Sequence, residues 1–313
     1  MAIDLYKPDH PQPLPPLQLN AKLFDPSLYE VDPALQDAIN IALQFGLPLL
    51  LTGEPGTGKT QLAHHLAWHF DVGEALVFNA RTTSTATDLF YRYDSLGHFQ
   101  YAQNQQQALQ PEEIEEKFIY YEALGAAIMD QQRRVVLIDE IDKAPRDLPN
   151  DILAAVERMS FEIPELNKTG THAIKSTPEN RPILILTSNS EKNLPDAFLR
   201  RVAYYHIPFP SETLLADILN KKQLGIEIDQ LKVLIKHFLQ LRESRKYPLK
   251  KNPATAELIF WALALKEMTF PIHKLKDMGL SVEEKKRLLS SYTVIAKNKD
   301  DYKALAKSLG LNV

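Results

Sequence analysis

The chain has 313 residues, of which 44% are hydrophobic and 24% charged, with a net charge of −4. This is ordinary globular composition, with room for one large domain and a smaller one. It has no cysteine, which excludes disulfides, thiolate metal sites and cysteine nucleophiles and fits a reducing cytoplasm; nor is there an apolar run near the ~20 residues that cross a bilayer, or an opening secretory signal.

In chain order, residues 1–20 hold five prolines (Pro8, Pro11, Pro13, Pro15 and Pro16) and read as an extended arm with no core of its own. Asp32 and Pro33 form an N-cap and first-turn pair, predicting a helix to about Phe45. Five apolar runs follow: Pro48–Thr52, Ala75–Asn79, Arg134–Asp139, Ile183–Thr187 and Ala203–Phe209. Separated by helical or loop segments, they predict an α/β fold with a doubly wound, parallel five-stranded sheet whose ligand crevice lies at the strands' carboxyl ends. Beyond Pro210 the spacing turns helical, over Ser211–Asn220, Gln230–Glu243, Thr255–Glu267 and Val282–Ala296. The expected organisation is an arm (1–20), a nucleotide-binding core (21–210) and a smaller helical lid domain (211–313).

The segment Gly53-Glu54-Pro55-Gly56-Thr57-Gly58-Lys59-Thr60 matches the phosphate-wrapping pattern G-x-x-x-x-G-K-[ST]. A strand leads in and a helix over Gln61–His69 leads out, as the chemistry requires: a helix N-terminus offers unpaired N–H groups to phosphate. Lys59 supplies a cation for the β- and γ-phosphates of a nucleoside triphosphate, and the Thr60 hydroxyl supplies a magnesium ligand. The run Arg134–Asp139 ends in the acidic pair Asp139-Glu140, 80 residues after Lys59. Asp139 is the candidate for holding Mg²⁺ and Glu140 for deprotonating the attacking water. Asn189, at the tip of the run beginning at Ile183, can reach that water or the γ-phosphate.

In order and spacing these motifs resemble an AAA+ ATPase: Gly53–Thr60 as Walker A, Val135–Glu140 as Walker B and Asn189 as sensor 1. The stretches Asp139–Asn150 and Leu194–Arg201 look like the MoxR-type branch of that superfamily. The resemblance covers roughly residues 28–270. It implies ATP and Mg²⁺, a ring, usually a hexamer, with nucleotide between subunits, and a chaperone-like role on a protein client. It also implies an arginine finger from a neighbouring subunit, for which Arg201 is the first choice and Arg200 the second. The chain departs from the family where a sensor 2 arginine is common. Lys250-Lys251-Asn252-Pro253-Ala254 stands there, leaving Lys250 or Lys251 as a γ-phosphate contact and Asn252-Pro253 as a helix cap.

Other segments bear on partners. Asp88–Tyr101 gathers six aromatic rings, counting His98, in a polar loop region, and Phe161–Lys175 reads as an inserted hairpin, placed by resemblance at a ring face or pore. Residues 211–313 carry a net charge of +7 and residues 1–210 one of −11. That split suits subunit assembly, a nucleic-acid surface, or merely solvated lysines. Two patterns read as decoys: the guanine-like Asn298-Lys299-Asp300-Asp301, and His65/His69 at metal-ligand spacing. The sequence favours a cytoplasmic ATP-hydrolysing protein remodeller, with a nucleic-acid motor or a nucleotide-gated scaffold as alternatives.

Overall fold

The computed structural model describes residues 21–104, 109–166, 173–190 and 194–312. The proline-rich arm lies outside the described residues, as does His172 of the expected hairpin. The chain divides into two compact units. One comprises residues 31–53 and 59–207; the other comprises 54–58 and 208–312 together with residues 21–30.

The first unit begins with α1 (Pro33–Phe45). Its cap is the one expected: the Asp32 carboxylate accepts from the backbone of Ala34 (3.0 Å) and Leu35 (3.1 Å), and Gly46 ends the helix in the left-handed region. There follow β1 (Leu49–Gly53), α2 (Lys59–His69) and β2 (Leu76–Asn79). Next come β3 (Tyr91–Tyr93), α3 (Ser95–Asn104), α4 (Pro111–Phe118), β4 (Ile119–Tyr121) and α5 (Ala123–Met129). The unit closes with β5 (Val135–Asp139), α6 (Leu148–Arg158), β6 (Ser160–Glu162), β7 (Ala173–Lys175), β8 (Ile183–Thr187), α7 (Asp196–Leu199) and β9 (Ala203–Ile207).

Five of these strands form one parallel sheet in the order β2-β5-β8-β1-β9. All five expected runs are therefore strands of a single sheet. The central strands β1, β5 and β8 are almost wholly buried, whereas β2 and β9 alternate half-buried and exposed positions. The two edges leave Val77 and Tyr204 exposed, so their apolar runs mark strand identity rather than full burial.

The connection between β2 and β5 is more ordered than its polar composition suggests. β3 and β4 pair antiparallel, and the aromatics of the Asp88–Tyr101 stretch divide. Phe90 and Tyr91 are buried, with Phe90 stacked on Phe161 at 4.9 Å, whereas Phe99 is exposed. β6 and β7 pair as the inserted hairpin, pairing Ser160 with Lys175.

The helical unit contains α8 (Glu212–Lys221), α9 (Ile228–Arg242), α10 (Thr255–Glu267), α11 (Val282–Ser291) and α12 (Lys299–Ser308). Two expectations need correction here, and one is borne out, the reading of the guanine-like motif as a decoy. The helix expected to reach Ala296 ends at Ser291, because the chain turns through Tyr292–Ala296. The cap of α10 is Ala254, not Asn252: the Glu257 carboxylate accepts the Ala254 N–H (3.0 Å), while the Pro253 carbonyl is taken by Arg242 (2.7 Å). The guanine-like motif is the start of α12, where Asn298 accepts from the Asp301 N–H (2.8 Å) as an N-cap.

The core of this unit holds a buried polar relay. His237 Nε2 lies 2.7 Å from the Tyr292 hydroxyl, and Trp261 Nε1 donates to the Ser291 hydroxyl (2.9 Å). Nδ1 of His237 is buried without a partner among the described residues, and burial lowers the imidazole pKa to about 4. A folded value below that of the unfolded chain stabilises the fold above pH 6.5, and this contribution is lost as pH falls towards 4. The shift corresponds to about 3 kcal/mol in total. Urea melts of the wild type should therefore show a steep loss of stability between pH 6.5 and 4, and His237→Phe should flatten that slope. Equal slopes would remove His237 from the account.

Candidate functional site

The sheet brings three strand ends together. β1 and β8 are neighbours, as are β8 and β5, so Gly53, Thr187 and Asp139 all lie at one carboxyl edge. Lys59 opens α2 and is 8% exposed, which is unusual for a lysine and requires partners. Its ammonium donates to the Gly53 carbonyl (2.9 Å) and to Asn189 Oδ1 (3.1 Å). Burial lowers its pKa, opposed by attraction to Asp139, Asp142 and Glu140. Thr60 donates to the Asp139 carboxylate at 3.1 and 3.3 Å.

Glu140 follows directly, in the left-handed region at φ 56°, ψ 48°. A non-glycine residue there is strained, and strain of this kind gathers at functional sites. It is held in place by Thr187, which accepts the Glu140 N–H (2.9 Å) and donates its own hydroxyl to Asp139. The Glu140 carboxylate is paired with Lys143 and faces Asn189 Nδ2 at 3.5 Å. Asn189 thus lies between Lys59 and Glu140, and its backbone N–H is held by Asp142 (3.3 Å).

The phosphate loop has the backbone that an anion cradle needs. Gly56 and Gly58 stand at φ 80° and 91°, where a side chain is strained. A Cβ on Gly56 would come within 3.0 Å of Ala254, and one on Gly58 within 3.1 Å of the Tyr29 ring. Thr57 closes the turn by donating to the Glu54 carbonyl (2.9 Å). The loop tip Glu54–Gly58 belongs to the helical unit, where Arg242 donates to the Glu54 carboxylate (2.5 Å). The Arg242 guanidinium also lies over the Phe209 ring, 3.8 Å from its centroid.

Thr187, Lys143 and Arg242 were not singled out from the sequence. Thr187 had a signal, as a polar residue ending a buried strand beside the acidic pair. Arg242 had none, since 188 residues separate it from Glu54.

The remaining candidates lie elsewhere. Arg201, between α7 and β9, is half-exposed and paired with Glu157 of its own chain (2.9 Å). Arg200 caps α7 and is exposed. Lys250 is committed to Asp300 (2.5 Å), and the backbone N–H groups of Lys250 and Lys251 are held by the buried Asp301 carboxylate at 2.6 and 3.3 Å. The Lys251 side chain is exposed. His65 and His69 stack at 5.9 Å in an aromatic cluster with Trp68.

The Thr60 hydroxyl and the Asp139 carboxylate make a hard-oxygen pair of the kind Mg²⁺ takes, leaving its other positions to phosphate and water. Among the described residues no group of three or more His, Asp or Glu is placed to hold a metal ion by itself.

Comparison with known proteins agrees with this geometry. Residues 48–202 match the family model described as the AAA domain of the dynein-related subfamily. No curated protein matches the chain. Among solved structures, two variants of Thermotoga maritima RuvB are similar at 16% identity, covering 89% of this chain and 80% of theirs, with TM-scores of 0.44 and 0.36. No helix among the described residues is long and apolar enough to cross a membrane. Strands β1, β2, β5 and β8, the Walker loop and the acidic strand end all fall within residues 48–202, the part of the chain that is similar to the AAA domain of the dynein-related subfamily.

Proposed function

We propose that the chain hydrolyses ATP with Mg²⁺. The observation that carries this reading is the hydrogen-bonded set of Lys59, Thr60, Asp139, Glu140 and Asn189 at the carboxyl ends of adjacent strands. Phosphoryl transfer asks little covalent chemistry of a protein, so such a site acts by positioning and charge.

In this reading Gly53–Gly58 present backbone N–H groups to the phosphates, and Lys59 follows the charge that gathers on the γ-phosphoryl. Thr60 and Asp139 hold magnesium, which when bound neutralises phosphate oxygens. Glu140 takes the proton of the attacking water, and Asn189 orients that water through its amide. Lys143 must release the Glu140 carboxylate for this step. The pair is about half-exposed on both sides, so releasing it costs about 1 kcal/mol or less.

We further propose that the domain works in a ring, a hexamer, in which Arg201 serves the γ-phosphate of the next copy. Its action on a protein client follows the MoxR-type likeness in Asp139–Asn150 and Leu194–Arg201. Arg200 is the second choice for the finger, and Lys251 stays a weaker contact candidate. Phosphate release from ATP tests the hydrolytic reading. Turnover should require Mg²⁺ and stop with excess EDTA. Metal-independent release would contradict the roles given to Thr60 and Asp139.

A further inference from the structure

Away from the Walker cluster, the last turn of α6, the base of the β6–β7 hairpin and the entry to β8 line an open cavity of about 450 Å³. That is the size of cavity that takes a small ligand. Local structure explains its lining. After Arg158 the chain reverses at Met159, which stands at φ 45°, and the Ser176 N–H returns to the Met159 carbonyl (2.9 Å). Strand pairing then places Lys175 opposite Ser160. Arg181 closes the wall, donating to the Val156 carbonyl (3.3 Å) while its own carbonyl accepts from Arg133 (2.9 Å).

The walls are strongly unbalanced in charge. Arg158, Lys175 and Arg181 all line the cavity, and none has a carboxylate partner among the described residues. The acid on the wall, Glu157, is already paired with Arg201. Burial and the neighbouring Arg133 both disfavour the Arg181 charge, a penalty that an anion would relieve. The Ser160 hydroxyl adds a neutral donor to the same walls, while that of Thr177 donates to Asn180 (3.1 Å). A guanidinium fork matches phosphate oxygens bidentately, and the Lys175 ammonium adds a point charge of the kind that binds phosphate.

We propose that this cavity binds a compact anion bearing two or more phosphate groups, at a site separate from the phosphate loop. The proposal does not depend on ATP hydrolysis. Its source can be an inorganic polyphosphate or the phosphate end of a nucleotide.

Calorimetry on the full chain carrying Lys59→Met, which disables the phosphate loop, tests it with pyrophosphate and ADP as probes. Pyrophosphate should still bind at one site per chain, and Arg158→Gln with Lys175→Gln should weaken that binding at least tenfold. These side chains are exposed, and unchanged circular dichroism melts would show that the fold is kept. ADP binding tighter than pyrophosphate identifies a nucleotide source, and equal or weaker binding an inorganic one; both outcomes support the site. Absence of pyrophosphate binding to the Lys59→Met chain would overturn it. So would binding that ignores the double substitution.

Discussion

Replacing Glu140 with Gln should leave Mg-ATP bound and cut turnover by roughly 10²–10⁴-fold, the range that a positioned general base supplies. Glutamine keeps the size of the side chain and its acceptor oxygen, so the contact with Asn189 Nδ2 can persist. It removes the proton acceptor and the charge that holds Lys143. The backbone at φ 56° is set by the Asp139–Glu140 turn and by Thr187, not by the carboxylate, so the substitution should not disturb the metal ligand beside it. Fluorescent-nucleotide titration beside steady-state phosphate release separates the two effects. A variant that loses ATP binding and turnover together would make Glu140 a structural residue.

A second large effect is expected at Arg201. Its pairing with Glu157 is exposed on both sides, so it is worth about 1 kcal/mol or less and yields to a phosphate of higher charge. An arginine that stabilises a γ-phosphoryl transition state contributes roughly 10³–10⁵ in rate, so Arg201→Ala should reduce turnover about a thousandfold. The informative experiment mixes two crippled chains. Arg201→Ala retains Glu140, and Glu140→Gln retains the arginine. In a ring with shared sites, some junctions then pair an intact base with an intact arginine. An equal mixture should recover up to about a quarter of wild-type turnover by random assembly. No recovery, with assembly confirmed by mass, would mean that Arg201 acts within its own chain or not at all. Arg200→Ala is the comparison that decides between the adjacent arginines.

The sheet was legible because its strands are short apolar runs bounded by turn residues, and a parallel sheet buries such runs on both faces. The Ile183–Thr187 strand matches its expected limits residue for residue, and the first helix runs from Pro33 to Phe45 as expected. The Walker residues were legible for a related reason: the motif is contiguous, so spacing alone specifies it. What the sequence did not show depends on contacts between distant segments. Thr187 meets Glu140 from 47 positions away, and Arg242 meets Glu54 from 188.

The cap of α10 shows a local rule overridden. Asn252-Pro253 is a good helix start by type, yet Arg242 takes the Pro253 carbonyl and the Asp301 carboxylate holds the preceding backbone. The helix therefore begins two residues later, with Glu257 folding back on Ala254. In α12 the local rule holds, and the motif is the decoy that its place in the chain implied. An apparent base-reading motif is ordinary capping chemistry, with Asn298 as the cap and Asp301 turned inward to hold the Lys250 backbone.

The fate of a single bound nucleotide tests the central claim most directly. Load the wild type and Glu140→Gln with γ-labelled Mg-ATP, chase with unlabelled ATP, and measure the labelled phosphate formed over time. The wild type should convert its bound label, while the variant should hold it as intact ATP through many wild-type turnovers. Equal label release from both proteins would contradict the chemistry assigned to this cluster.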